Sequence, residues 1–444
     1  MTNDFKAHFD AIKARALGEL LPGERAAISY SAERSAYMRF NNGKVRQSGT
    51  VLQADLSIKL WKGAKSYSFQ LGLSCDADVD DERVADAIGS ARALLPLLPD
   101  DPYQAVPEAA ESSDARYGGK LLPEGEIPAR VLDPAAGLDF TGIYSQGLVC
   151  RAAANSAGAD HWFQTETFLV DYSAWLPNGR AVKSSYAGRD WSDGEYAARI
   201  ASTRGSLENL SKPEKVLTPG KYRAFITADA LNEVVTFFSW NGFGERGLRQ
   251  GESAYIAMRE GRESMSPLFG FSQDFSLGVQ PAFNDDGELA PDRLVVVEGG
   301  RIRNTIVCSR TAKQYGIPAN GAGDEEEARS VAIDAGDLPE ADALEAIGTG
   351  VYVSNFHYLN WSDVQAARIT GMTRFSCLWV EDGEVVGPIK DMRWDESLYN
   401  MLGAKLEAVT RERHLIVESM TYDHRQVGGS LLPGLLVDGL SFTL

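Results

Sequence analysis

Residues 27–71 read AISYSAERSAYMRFNNGKVRQSGTVLQADLSIKLWKGAKSYSFQL. Apolar and polar residues alternate through most of this stretch, the period of a strand with one buried face. Asn42-Gly43 and Lys62-Gly63 fall where tight hairpin turns belong, because glycine supplies the positive φ such turns need. The spacing predicts a meander of about four antiparallel strands. Before it, Phe5, Phe9, Ile12 and Ala16 recur at helical spacing and predict an opening amphipathic helix over residues 3–20. After it, Asp80 or Asp81 is expected to cap a helix whose Val84, Ile88, Ala91 and Leu95 share one face. Helix, strands, helix is an α+β order rather than a parallel βαβ array.

Further along, seven prolines between Pro96 and Pro134 predict a long, mostly irregular connection. Strands are expected near 147–153, 160–172 and 180–187, then a helix from about Asp193 to Leu210, which must end before Pro213. Pro219-Gly220 marks a joint. Beyond it a helix is expected over 228–240. Hairpin signals follow at Glu298-Gly299-Gly300, and at Asp382-Gly383 between strands Phe375–Val380 and Glu384–Ile389. The expected division is an N-terminal α+β unit over 1–100 and a linker with a central α+β unit over 101–216, together one N-terminal domain. A β-rich C-terminal domain over 217–444 completes the chain.

Composition excludes several functions. Lys+Arg number 44 against Asp+Glu 62 in 444 residues, a formal charge of −18. Such a balance argues against binding nucleic acid or an anionic membrane surface, since both require a surplus of cations. No apolar run approaches the roughly 20 residues of a membrane helix. The start Met-Thr-Asn-Asp-Phe-Lys-Ala-His has no apolar region of a secretory signal. Cys75, Cys150, Cys308 and Cys377 form no Cys-x-x-Cys pair and are expected to be reduced, packed thiols in a cytoplasmic protein; Cys377 is expected inside a strand.

Signatures of chemistry are sparse. None of His8, His161, His357, His414 and His424 lies within five residues of another, so no helical zinc pair is visible. There is no Gly-x-Ser-x-Gly elbow. Gly242-Phe243-Gly244-Glu245-Arg246-Gly247 has the spacing of a dinucleotide fingerprint but follows an expected helix instead of a strand. Asp324-Glu325-Glu326-Glu327 reads as a solvated loop or helix start. The aromatics at 237–243 and 269–283 read as core.

Nine short segments, in order, resemble one family over some 400 residues. They are Arg39-Phe40-Asn41-Asn42-Gly43-Lys44-Val45, Asn155-Ser156-Ala157-Gly158, Thr218-Pro219-Gly220-Lys221-Tyr222 and Ala282-Phe283-Asn284-Asp285-Asp286-Gly287-Glu288. Arg310-Thr311-Ala312-Lys313-Gln314-Tyr315-Gly316, Thr373-Arg374-Phe375-Ser376 and Val380-Glu381-Asp382-Gly383-Glu384 continue the series. Gly387-Pro388-Ile389 and Gly429-Ser430-Leu431-Leu432-Pro433 end it. The chain resembles the TldD/PmbA family, also labelled modulators of DNA gyrase.

That resemblance implies a two-part α+β architecture of mainly antiparallel sheets with flanking helices. The family's TldD branch carries His-Glu-x-x-x-His, a zinc site for peptide hydrolysis. Here the matching stretch reads Asn232-Glu233-Val234-Val235-Thr236-Phe237, and Tyr422-Asp423-His424-Arg425 lacks the further cysteine ligand. The chain therefore resembles the PmbA/TldE branch. The resemblance implies a non-catalytic subunit with no metal or cofactor of its own, which pairs with a zinc-bearing TldD-like subunit or with itself. Extended peptides, unfolded or modified, are the implied substrate, and Glu233 is the candidate catalytic residue. Two other readings are a self-sufficient peptidase and a peptide- or protein-binding regulator. Ser376-Cys377-Leu378-Trp379 replaces the family's run of small residues with bulkier ones, which would alter a peptide groove.

Overall fold

A computed structural model describes residues 4–443. Helix α1 (Phe5–Gly18) buries Phe5, Phe9, Ile12 and Ala16, with the Asp4 carboxylate accepting the Lys6 and Ala7 amides. The meander is three long strands rather than four: β1 (Glu24–Asn41), β2 (Lys44–Lys62) and β3 (Lys65–Leu73). Only two turns interrupt it, because Gly49 stays in the ladder opposite Tyr37. Helix α2 (Ala77–Leu94) starts earlier than expected, capped by Asp76. Asp80 is instead fully buried, accepting the Ser74 amide and lying 3.2 Å from His8.

The proline-rich connection is less irregular than its composition implies. It contains β4 (Ser112–Tyr117), which adds parallel to a later strand, and the short helix α3 (Ile127–Leu132). Long strands β5 (Asp139–Asn155) and β6 (Asp160–Trp175) follow, then β7 (Ala181–Gly188) and helix α4 (Asp193–Leu210), capped by Ser192. These strands form one sheet in the order β3-β2-β1-β5-β6-β4, with β7 also on β6.

Period two decides what each face of this sheet meets. Even-numbered residues of β5 and β6, among them Tyr144, Cys150, Trp162 and Phe168, pack under the helices. Odd-numbered residues face the rest of the chain. His161 stacks on Phe283, with ring centroids 5.2 Å apart, and contacts the Gly287 carbonyl at 3.2 Å. Ser29 Oγ donates to Asp285 at 2.5 Å, and Asn155 Nδ2 donates to the Asp286 carbonyl at 3.1 Å. Gly287 has φ +76° and lies so near Asn155 and Ala159 that a Cβ there would crowd both.

The second sheet has 13 strands and takes in β8 (Gly220–Ile226) and the C-terminal strand Gly429–Phe442. These two pair antiparallel, with Leu435 opposite Ile226. Between β8 and its parallel neighbour Gly350–Val353 the chain forms helix α5 (Ala228–Val235). It is shorter than expected. A 3-10 turn over Thr236–Phe238 ends it and drives Phe237 and Phe238 into the core. Strand Leu378–Glu381 likewise starts late, because Phe375 takes a positive φ of 64°. Cys377 is therefore buried in the irregular link just before the strand, not in it. The other cysteines are also free and buried.

Between strands Leu406–Val417 and Gly429–Phe442, residues 418–428 leave the second sheet and dock on the first. Arg425 is 6% exposed. Its guanidinium donates to Ser35 Oγ at 3.3 Å and to the Gly147 and Thr167 carbonyls at 3.2 Å. Its amide donates to Glu33, which also accepts from Ser35, Tyr37 and Gln53. Arg425→Ala removes a buried cation beside Glu33 and is expected to cost about 3–5 kcal/mol. Urea denaturation would read the loss, and proteolysis should find new cleavage within 418–428.

Lys59 of β2 reaches Asp324 at 3.0 Å and Asp286 at 3.5 Å. Burial is the main cause that pushes the Asp286 carboxyl up to about 7, with Lys59 opposing. Between the ordinary carboxylate range and that value, the folded state holds a proton the unfolded state has lost, so this group's contribution to stability falls as pH rises from about 4 to 7. Asp286→Asn is expected to melt close to the parent at pH 5 and a few degrees above it at pH 8.

Candidate functional site

Helix α5 is amphipathic by construction. Thr227 caps it, its Oγ1 accepting the Ala230 amide at 3.2 Å and donating to the Ser354 carbonyl at 2.8 Å. Ala230, Leu231 and Val234 enter the core. Asp229, Asn232, Glu233 and Thr236, at spacings of three and four, form the opposite stripe. That stripe walls a cavity of about 580 Å³. Leu169 and Asp171 of β6 and Lys183 to Ser185 of β7 supply another wall. Residues 416–420 and 427–430, on either side of the Arg425 excursion, supply a third. The cavity thus lies where the first sheet, α5 and the C-terminal hairpin meet.

Glu233, the residue singled out by sequence, faces this cavity. It is reached by solvent, yet protein surrounds it closely enough that desolvation raises its pKa; Lys183 opposes the shift and Glu418 reinforces it. Asp229, one turn earlier, is raised for the same first cause, against the nearby Arg199, His414 and Lys183. Sequence reasoning passed over Asp229, although its spacing of four from Glu233 was the available signal. A smaller cavity of about 210 Å³ shares Lys183, Asp229 and Asn355 with the first and extends to His414. There His414 Nε2 lies 2.6 Å from Glu340, which lifts the imidazole pKa.

The donor set does not fit a zinc centre of the TldD kind. Asn232, in the place of the first imidazole, lines the cavity. Phe237, in the place of the second, is 1% exposed and turned into the core, with Trp240 and Trp361 rings at 5.6 and 4.7 Å. The histidines are dispersed: His8 bonds Tyr30 and Asp80, His161 belongs to the sheet contact, His357 is exposed, and His424 contacts Gln426. Among the described residues no group of three His, Cys, Asp or Glu is placed to hold a metal ion.

The remaining sequence candidates have structural roles. Gly244 precedes helix α6 (Glu245–Gln250), and the Glu326 carboxylate accepts the Arg246 amide at 2.6 Å and the Cys308 amide at 3.0 Å. An internal carboxylate therefore occupies the amides that a phosphate would need. Glu326 is buried, whereas the sequence read it as part of a solvated cluster; Asp324, Glu325 and Glu327 are exposed. The aromatics at 237–243 and 269–283 are mostly core, with Trp240 exposed. No helix among the described residues is long and apolar enough to cross a membrane.

A family model described as the PmbA/TldA metallopeptidase C-terminal domain matches residues 219–444, just over half of the chain. No curated protein sequence gives a match. Among solved structures, a candidate modulator of a DNA gyrase from Thermotoga maritima is similar, at 17% identity and a TM-score of 0.76, over 99% of this chain and 100% of that one. TldE from Thermococcus kodakarensis is similar at 14% identity and 0.75, over 98% and 100%. A candidate modulator of DNA gyrase from Bacteroides thetaiotaomicron is similar at 14% and 0.74, over 100% and 99%. These identities establish the shared fold. With the family model across the second sheet and α5, they lead to one conclusion: the chain belongs to the TldD/PmbA family of metallopeptidase-related proteins.

Proposed function

We propose that this chain is a non-catalytic, PmbA/TldE-like subunit of a cytoplasmic metallopeptidase complex that trims unfolded or modified peptides. A TldD-like partner would hold the zinc, and this chain would complete the peptide-handling surface. Residues 1–216 would act as one domain and 217–444 as the other, with the cavity between them.

The observation that carries this reading is the α5 stripe. Its cavity face offers Asp229, Asn232, Glu233 and Thr236, with no imidazole, while Phe237 is committed to the core. Activating water on zinc takes three protein ligands and an open position. Peptide capture needs only a lined cavity with backbone and polar partners, which the joint supplies.

Elemental analysis of the chain purified without chelator is expected to give zinc near zero per chain; a value near one would overturn the proposal in favour of a self-sufficient peptidase. In the reconstituted complex, Glu233→Gln is expected to lower peptide turnover by less than about tenfold, the size of a lost binding contact. Loss of a general base costs about 10²–10⁴, so a thousand-fold drop would make Glu233 catalytic.

A further inference from the structure

The smaller cavity, about 210 Å³, is walled by β7, α4, the start of α5, Tyr352 and the strand that carries His414. Five charged side chains line it: Lys183, Arg199 and His414 against Asp229 and Glu340. Two pairs are already made, Lys183 with Asp171 at 2.8 Å and His414 with Glu340 at 2.6 Å. Among the described residues, Arg199 of α4 and Asp229 of α5 have neither an ion-pair nor a hydrogen-bond partner. Arg199 is the foremost cation acting on the Asp229 carboxyl, so the two charges attract through space without touching. Holding opposite charges apart in a partly enclosed space forgoes the contact that would offset their desolvation.

Neutral groups around the cavity are incomplete as well. Ser376 is 5% exposed, lines the cavity and has no hydrogen-bond partner among the described residues. The Tyr352 hydroxyl is also unpartnered, and the charges that act on it are those of Glu340 and Asp229, both cavity groups, which sets it on the cavity side. Ser184, Ser202 and Ser206 add hydroxyls from β7 and α4. At about 30 Å³ per water the space holds roughly seven, too little for an extended peptide and enough for one small amino acid. A simple anion would answer Arg199 alone and be repelled by Asp229 and Glu340. A simple amine would answer Asp229 alone. A molecule with both charges on one carbon answers both.

We propose that this cavity binds a free, small α-amino acid as its zwitterion, with Arg199 holding the carboxylate, Asp229 the ammonium, and Ser376 and Tyr352 as further hydrogen-bonding groups. A guanidinium meets a carboxylate through two parallel N–H donors, and an ammonium distributes three donors over carboxylate and hydroxyl oxygens. The site goes beyond the peptide-handling reading and stands without it. Asp229 also lines the large cavity, so a bound amino acid would neutralise one carboxylate of that wall. Blocking either terminus removes one of the two charges, and a dipeptide both separates them and outgrows the space.

The test is calorimetric titration of the full chain, at physiological salt, with L-alanine, L-serine, N-acetyl-L-alanine and L-alaninamide. Alanine and serine are expected to bind saturably, one per chain, and each blocked compound about tenfold or more weakly, the effect of losing one charge-assisted contact. Arg199→Gln is expected to weaken alanine by about the same factor and to bind alanine and alaninamide alike. Asp229→Asn is expected to bind alanine and N-acetylalanine alike. Neither residue has a partner to lose, so both variants should melt near the parent; if one misfolds, the compound series on the parent decides alone. Equal affinity for all four compounds overturns the inference, as does discrimination that survives both substitutions. Absence of binding by alanine and serine also overturns it, leaving the cavity to water and the proposed function standing.

Discussion

A sheet whose central strands are covered on both faces is the constraint on which the molecule depends. In β5 and β6 one row of side chains belongs to α1 to α4 and the other to the second sheet. A slip of one residue would exchange the rows, setting Trp162 and Phe168 against Asp285 and Arg425, and His161 and Arg151 against the helices. Register is held by ladders of 14 to 18 residue pairs between β1 and its neighbours. It is also held by turns that only one register accommodates. Asn155 accepts the amides of Ala157, Gly158 and Ala159 while its Nδ2 reaches across to the Asp286 carbonyl. Opposite it, Asn284 does the same for the amides of Asp286 and Glu288. Two asparagine-centred turns, far apart in sequence, lock face to face.

The cavity follows from the same arrangement. Where the odd rows carry His161, Phe163 and Thr167, the two sheets touch and the Arg425 excursion fills the remaining gap. Further along, the rows continue as Asp171, Lys183 and Ser185, which are polar and do not fill the space. The opening is therefore a property of which residues occupy the far end of β6 and β7, together with the stripe on α5.

Much of the architecture was legible because it is local. Asn42-Gly43 and Asp382-Gly383 each act within a few residues, and the helix Asp193–Leu210 matched its expected limits. Features that failed were those decided at a distance. β4 lies in a proline-rich stretch, and only the exposed edge of β6 makes it a strand. Asp80 looked like a cap until His8, 72 residues away, took its carboxylate. Glu326 looked solvated, but the amides of Arg246 and Cys308 bury it. The site was half legible: Glu233 could be placed by resemblance, whereas the cavity draws its walls from segments more than 250 residues apart. Several segments that carried the resemblance, Asn155-Ser156-Ala157-Gly158 and Asn284-Asp285-Asp286-Gly287 among them, proved to be the turns that join the two sheets.

Phe237 gives the missing second imidazole a structural depth that its identity alone would not. Its ring lies against two indoles, in a cluster that also stacks Phe238 on Phe271 at 4.7 Å. An imidazole there would forfeit that packing and place ring nitrogens among hydrocarbon, a loss on the order of 3–5 kcal/mol before any ion could compensate. A TldD-type imidazole at position 237 therefore lies uphill through the core. The aromatic cluster works as a latch on position 237, holding it against an imidazole by the cost of unpacking the rings.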